Sequence, residues 1–301
     1  MTWEDTFKSW AQGPSQTEQE KCERAESLIT GIIRRDPRLS QLPIRVFTQG
    51  SYSARTNVRL DSDVDICVCL QQTFFYDLTF SPSKNPADHG IGPASIHYPE
   101  FKNLVGAALI RELGQAGVTR GNKAFDVHAN TYRIDADVVA AFEHHRYLGI
   151  ADYNGNAPHE LGTEFHPDNG GQVINWPDHN RQNGIAKNDR TGRKYKRVIR
   201  ILKRLRNAMQ AEGISAAQGV ASFLIESLVW NVADPHFRSE SYAAIIRSVL
   251  AEAFNGTLTV ESCSAWVEVN ERKYLFHPTQ PWTREQAHSF LAAAWDYLGF
   301  A

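Results

Sequence analysis

Residues 49–70 read Gln49-Gly-Ser-Tyr-Ser-Ala-Arg-Thr-Asn-Val-Arg-Leu-Asp-Ser-Asp-Val-Asp-Ile-Cys-Val-Cys-Leu70, and the rest of the chain is best understood outward from them. Upstream, Pro43 to Gln49 alternates apolar and polar residues as a half-buried strand does, and it runs straight into Gly50-Ser51. Val64 to Leu70 alternates more cleanly and reads as the next strand. Asp63 and Asp65 are two apart, so on a strand their side chains leave the same face, ~7 Å apart along the backbone. Two carboxylates on one face repel, and divalent cations between them turn that repulsion into binding. Oxygen-only ligands select hard Mg²⁺ or Mn²⁺ over zinc. The spacing recurs at Asp135 and Asp137, and on spacing alone either can supply a third carboxylate. With it, the set suits two metals ~3.5–4 Å apart, the clamp of an in-line phosphoryl displacement. Gly50 lets the backbone approach a phosphate, and the Ser51 hydroxyl and following N–H groups can donate to it.

Around this stretch the periodicities alternate between 3.6 and 2. Thr17 and Glu20 have capping-box spacing, and Cys22, Ala25, Leu28, Ile29, Ile32 and Ile33 follow at helical intervals until Pro37. Residues 71–97 are aperiodic and read as a long loop, and a helix follows from Phe101 to Leu113. Strands are expected at Lys123 to Ala129 and Thr131 to Phe142, then a second irregular region from Gly149 to Gly171. Beyond about Arg190 helices dominate: Tyr195 to Met209, Phe223 to Val232, Tyr242 to Phe254 and Arg284 to Tyr297. The reading is an α+β chain with a seam near residue 185, a helix-plus-strand half at 1–185 and a helical half at 186–301.

Composition narrows the class. The 301 residues are 42% hydrophobic and 22% charged with a net charge of −2, so disorder is excluded and stable nucleic-acid binding over the whole surface is not expected. Four cysteines are too few for a disulfide scaffold and read as free buried thiols of a reducing compartment. No apolar run reaches the ~18 residues of a membrane span, and the N-terminus has no signal-peptide core, so a cytoplasmic protein is expected. His144, His145, His159, His166 and His179 lack the paired cysteines of a structural zinc site, and no zinc is expected.

Gly-Ser, a gap, Asp-x-Asp on a strand and a later Asp resemble the DNA polymerase β-like nucleotidyltransferase fold: a mixed sheet flanked by helices, with a C-terminal helical lobe. The forms Gln-Gly-Ser-Tyr-x-x-x-Thr (49–56) and Asp-Val-Asp-Ile-x-Val (63–68) are similar to the cGAS/DncV-like nucleotidyltransferases, bacterial relatives of cyclic GMP-AMP synthase and the oligoadenylate synthetases. Asp137 with the following Val-Val-Ala-Ala-Phe142 resembles the family's third-carboxylate strand, which selects Asp137 over Asp135. The likeness extends over roughly residues 45–235, through Trp176 to Asn188 and Lys194 to Asn207. Asp61 falls outside the alternation and is set aside as an outer carboxylate.

Ten basic residues against one acid, Asp189, lie between Lys187 and Arg206. Lys196, Arg200 and Lys203 form one stripe of a helix, suited to the ~four negative charges of a nucleoside triphosphate. The resemblance places Lys203 on the triphosphate, with Ser222 beside it and Phe223 stacked on a base. Gln49, Gly50, Ser51, Lys187 and Lys196 complete the nucleotide-binding candidates; Asp63, Asp65 and Asp137 are the catalytic and metal candidates. Two Mg²⁺ ions, replaceable by Mn²⁺, are the implied cofactors. The implied activity joins ATP, GTP, CTP or UTP into a cyclic di- or trinucleotide messenger of anti-phage defence, releasing pyrophosphate, with the product acting on a separate effector. The alternative is a template-independent nucleotidyltransferase of the oligoadenylate synthetase or poly(A) polymerase kind.

Overall fold

The computed structural model describes residues 2–58, 63–129, 135–152 and 154–300. In chain order its elements are α1 (Trp3–Trp10), α2 (Gln16–Arg35), β1 (Ile44–Thr48), α3 (Gly50–Ala54), β2 (Val64–Asp77), α4 (Tyr98–Leu113), β3 (Val118–Arg120), β4 (Phe125–Val127), β5 (Ala136–Tyr147), β6 (His159–Phe165), β7 (Val173–Asn175), α5 (Pro177–Arg190), α6 (Tyr195–Ala211), α7 (Ser222–Asn231), α8 (Tyr242–Gly256) and α9 (Arg284–Tyr297). Asp61 lies outside the described residues, as do residues 130–134 at the start of the strand expected from Thr131.

Two compact units emerge. One comprises Ser15–Ser53 and Asp63–Asp178; the other comprises Met1–Pro14, Ala54–Ser62 and His179–Ala301. A single cut at 185 misses that α1 belongs with the helices: Phe7 is fully buried in the same core as Val198, Ile199 and Leu202 of α6.

In the first unit seven strands form one mixed sheet ordered β1-β2-β5-β4-β3, with β6 and β7 added along the far half of β5. Among the described residues only β2 and β5 run parallel; the other pairs are antiparallel. Val64 through Leu70 was expected to be half-buried, yet Ile66, Cys67, Val68, Cys69 and Leu70 are all buried. The strand is central, so both faces are covered and the polar alternate positions become thiols. Residues Ile29 and Ile33 of α2 and Phe101, Val105 and Leu109 of α4 supply the covering core.

Other differences have local causes. Helix α2 opens at a capping box of Ser15 and Glu18, two residues ahead of Thr17 and Glu20; both pairs satisfy the spacing, and the earlier one caps the helix. Strand β2 continues to Asp77, inside the expected loop, through an irregularity between Leu70 and Phe74 that breaks the pattern. Strand β6 occupies part of the expected irregular region, and α5 begins well before Arg190. In the helical unit, α6 buries Tyr195, Val198, Ile199, Leu202, Leu205 and Met209 along one face, as its spacing requires. All four cysteines are free and buried. No helix among the described residues is long and apolar enough to cross a membrane.

Candidate active site

The sheet unit gathers Gln49, Gly50 and the aspartates. The Gln49 N–H donates to the Asp65 carbonyl at 2.9 Å, fixing the turn against β2. Gly50 has φ +63°, and a Cβ there would lie 2.1 Å from Asp65 Oδ2. Both the left-handed backbone and the carboxylate contact therefore demand glycine. Ser51 follows on the short helix α3.

Strand register then aligns the acids. Asp65 pairs directly with Asp137 across the parallel β2–β5 ladder. Asp137 pairs in turn with Asp126 across the antiparallel β4–β5 ladder. Directly opposed residues share a face, and neighbouring strands are ~4.8 Å apart, so three carboxylates form a row with Asp137 at its centre. Burial, a hydrogen bond that protonated Asp137 donates to Asp126, and the charges of Asp65, Asp126 and Asp63 push the Asp137 carboxyl up to about 7. Asp63 is raised as well, by burial and then by Asp135 and Asp126. Asp135 itself is exposed and accepts the Ala129 N–H at 2.5 Å, which holds its carboxylate to the backbone just past β4.

Among the described residues no three His, Cys, Asp or Glu side chains already converge as a closed cage. What the row offers is a donor set: anionic oxygen only, no imidazole and no thiol. That chemistry fits a hard divalent cation and does not fit zinc. His144 and His166 are engaged elsewhere, both with Glu164 at 2.7 and 2.9 Å.

The helical unit holds the remaining candidates, in separate environments. Lys203 is buried: its Nζ donates to Glu226 Oε1 at 2.5 Å and to the Thr56 carbonyl at 3.2 Å, while Thr56 Oγ1 donates to the same Glu226 oxygen at 2.8 Å. Lys196 is buried nearby on α6, and burial, then Arg55 and Arg200, lower its pKa. Ser222 opens α7 and its Oγ accepts from Arg206 Nη2 at 3.1 Å. Phe223 lies tilted against Trp282, ring centres 6.3 Å apart. Lys187 is used differently. Its Nζ donates to the carbonyls of Trp230 and Val232 at 2.6 Å each, closing the C-terminal end of α7, and burial lowers its pKa to about 8.

Asp126 and Glu226 were not found from the sequence. The signal for Asp126 was present: a single acid between two buried apolar residues, Phe125 and Val127, on an expected strand. Its significance depends on which strand it pairs with, and spacing does not carry that.

Comparison with known proteins agrees with this arrangement. Residues 182–299 match the cGAS/DncV-like nucleotidyltransferase C-terminal helical domain. The chain is 43% identical to the cyclic dipyrimidine nucleotide synthase CdnE of Legionella pneumophila, over 99% of this chain and 98% of that protein. It is 37% identical to the synthase of the same name from Cecembia lonarensis, with the same coverage. The solved Elizabethkingia meningoseptica CdnE cyclic dinucleotide synthase, with GTP and Apcpp, superposes with a TM-score of 0.80 at 30% identity and covers 99% of each chain. A carboxylate row on a mixed sheet, a matching helical domain and whole-length relatives meet in one conclusion: this chain belongs to the cGAS/DncV-like nucleotidyltransferases, with a polymerase β-like core and a C-terminal helical domain.

Proposed function

We infer that this protein joins two nucleoside triphosphates into a cyclic dinucleotide, with pyrimidine nucleotides preferred, and releases one pyrophosphate per bond formed. The observation that carries the chemistry is the register Asp65–Asp137 with Asp63 two residues before it. The preference rests on the two relatives whose names specify dipyrimidine products and whose identity runs the length of the chain. Asp63, Asp65 and Asp137 would hold Mg²⁺, with Mn²⁺ able to substitute. Bound there, a divalent metal supplies charge stabilisation to the attacking and leaving oxygens of an in-line displacement.

The chain's own residues do the rest. A ribose hydroxyl must lose its proton as it attacks the α-phosphorus, and the bond to the β-phosphate oxygen breaks. Asp137 is the carboxylate assigned to accept that proton, from a hydroxyl whose pKa a divalent metal at the row would lower. Gly50 and Ser51 leave backbone and hydroxyl donors open to phosphate oxygens; Lys203, Lys196, Ser222 and Phe223 serve the triphosphate and base in the helical unit. The released messenger acts in the cytoplasm on a separate effector of anti-phage defence. Incubation with all four NTPs and Mg²⁺ or Mn²⁺, with products identified by mass, tests this. A cyclic dinucleotide containing C or U is expected; a linear ladder or a polymer would refute it.

A further inference from the structure

Helix α6 carries Arg197, Arg200 and Arg204 at i, i+3 and i+7, one stripe of its surface. The first two line a cavity of about 420 Å³ within the helical unit, together with Lys8, Gln12, Gly13 and Tyr242. That volume lies within the ~300–1,000 Å³ range of small-molecule sites. No acid among the described residues lines it. Arg200 donates from Nε to the Ala11 carbonyl and from Nη1 to the Arg55 carbonyl, each at 2.8 Å. Arg197 donates from Nη1 to Tyr242 Oη at 3.1 Å, which leaves the phenol proton free to be donated onward. Neither guanidinium meets a carboxylate among the described residues, and with ~five N–H donors each, most of their capacity is uncommitted. Lys8 lies 3.6 Å from Glu4 on an exposed side chain and also acts on the charge of Asp5, while Glu4 is already taken by the Ser241 hydroxyl and the Ala243 N–H.

Two buried lysines of this unit are placed differently. Lys187 and Lys203 each have an acid partner, Asp234 and Glu226. Burial, then Arg197, pulls Arg200 down to about 10, with Tyr242 opposing that shift and no acid among its influences. A cavity lined by cations and a phenol, with donors in excess and no acid, is complementary to an oxyanion.

We propose that this cavity binds a phosphorylated ligand, its phosphate oxygens received by Arg197, Arg200, Tyr242 Oη and Lys8. The size of the cavity commits it to a small phosphorylated molecule, and a nucleic-acid backbone is an outcome that the test separates. Lys203 and Ser222 do not line the cavity, so it can be tested apart from the proposed triphosphate contacts.

The probe is inorganic pyrophosphate, titrated calorimetrically in EDTA so that no cation bridges it to the aspartates. Saturable binding is expected in the wild type and in Asp63→Asn, weakened at least tenfold by Arg197→Gln and by Lys8→Gln, and less by Tyr242→Phe. Arg197 and Lys8 are exposed, and an unchanged melting temperature shows that the variants fold. In a second arm a labelled single-stranded RNA replaces pyrophosphate. Pyrophosphate is expected to bind more tightly than the RNA; tighter RNA binding with a steep salt slope would overturn the small-ligand proposal. The proposal is equally overturned if pyrophosphate does not bind saturably, or if Arg197→Gln and Lys8→Gln leave its binding unchanged.

Discussion

Asp126→Asn removes one negative charge from the carboxylate row and keeps its shape. Asp137 rises from 3.8 to about 7, a change of roughly 4 kcal/mol if taken in full. Burial is the first cause and Asp126 acts alongside Asp65 and Asp63. Asp137 is only partly buried, so after screening the share removed with Asp126 is about 1 kcal/mol. The sign follows from linkage. A carboxyl raised in the folded state binds more protons folded than unfolded between pH 4 and 7, so the metal-free protein loses stability as pH rises through that window. Asp126→Asn should relieve part of that loss. In EDTA at pH 8 it is expected to raise the melting temperature by ~2–4 °C, and at pH 4 to change it little. The same variant should slow product formation about tenfold at saturating Mg²⁺, because Asp137 loses the neighbour that orients it. Scanning calorimetry at the two pH values, paired with initial rates, measures both. Equal shifts at pH 4 and pH 8, or none with an unchanged rate, would show that Asp126 stands outside the field of Asp137.

Three further outcomes are expected. EDTA, or Asp63→Asn, should abolish product with the fold intact; product formed in metal-free buffer would remove the two-metal assignment. Asp137→Asn should cost orders of magnitude in rate and Asp135→Asn no more than ~10–100-fold, since the Asp135 carboxylate is held by the Ala129 N–H; the reverse order in side-by-side rates would put the third ligand one repeat away. Lys203→Ala strands buried Glu226 and should cost ~3–5 kcal/mol in urea unfolding, most of it recovered by adding Glu226→Gln; a single variant as stable as wild type would refute the ion pair, and the affinity of the double variant for a non-hydrolysable NTP, against Glu226→Gln alone, then reports any triphosphate contact of Lys203.

What could be read from the sequence was whatever depends on near neighbours. Asp63 and Asp65 share a face because strand geometry repeats every two residues, and Gly50 beside them was legible as a place where backbone comes close. Asp126 needed the β4–β5 pairing, which no local spacing reports. Thr56 was visible as the last residue of the Gln49–Thr56 pattern, yet its work is to hold Lys203 and Glu226, 147 and 170 residues away. The N-terminal helix escaped for a related reason: Phe7 is buried only against partners from α6 onward, and eight residues of helix have little period of their own.

The deeper ambiguity is in the charges. In sequence, Lys102, Lys187 and Lys203 are indistinguishable from Lys8, Arg197 and Arg200. In the fold the first three are buried and each is matched by an acid, Asp168, Asp234 and Glu226. Burying a charge costs several kcal/mol unless a partner compensates it, so matched pairs of this kind are what folding alone selects. The leading influences on Asp137 are the opposite: burial and three other acids, all of which oppose its ionisation. Arg197 and Arg200 likewise have only carbonyls and a phenol. Neither arrangement improves the fold, since each leaves like charges together. A fold that pairs Lys102, Lys187 and Lys203 with acids and leaves these two groups unbalanced is one in which the missing charge arrives with a ligand: cations for the aspartate row, an oxyanion for the arginines.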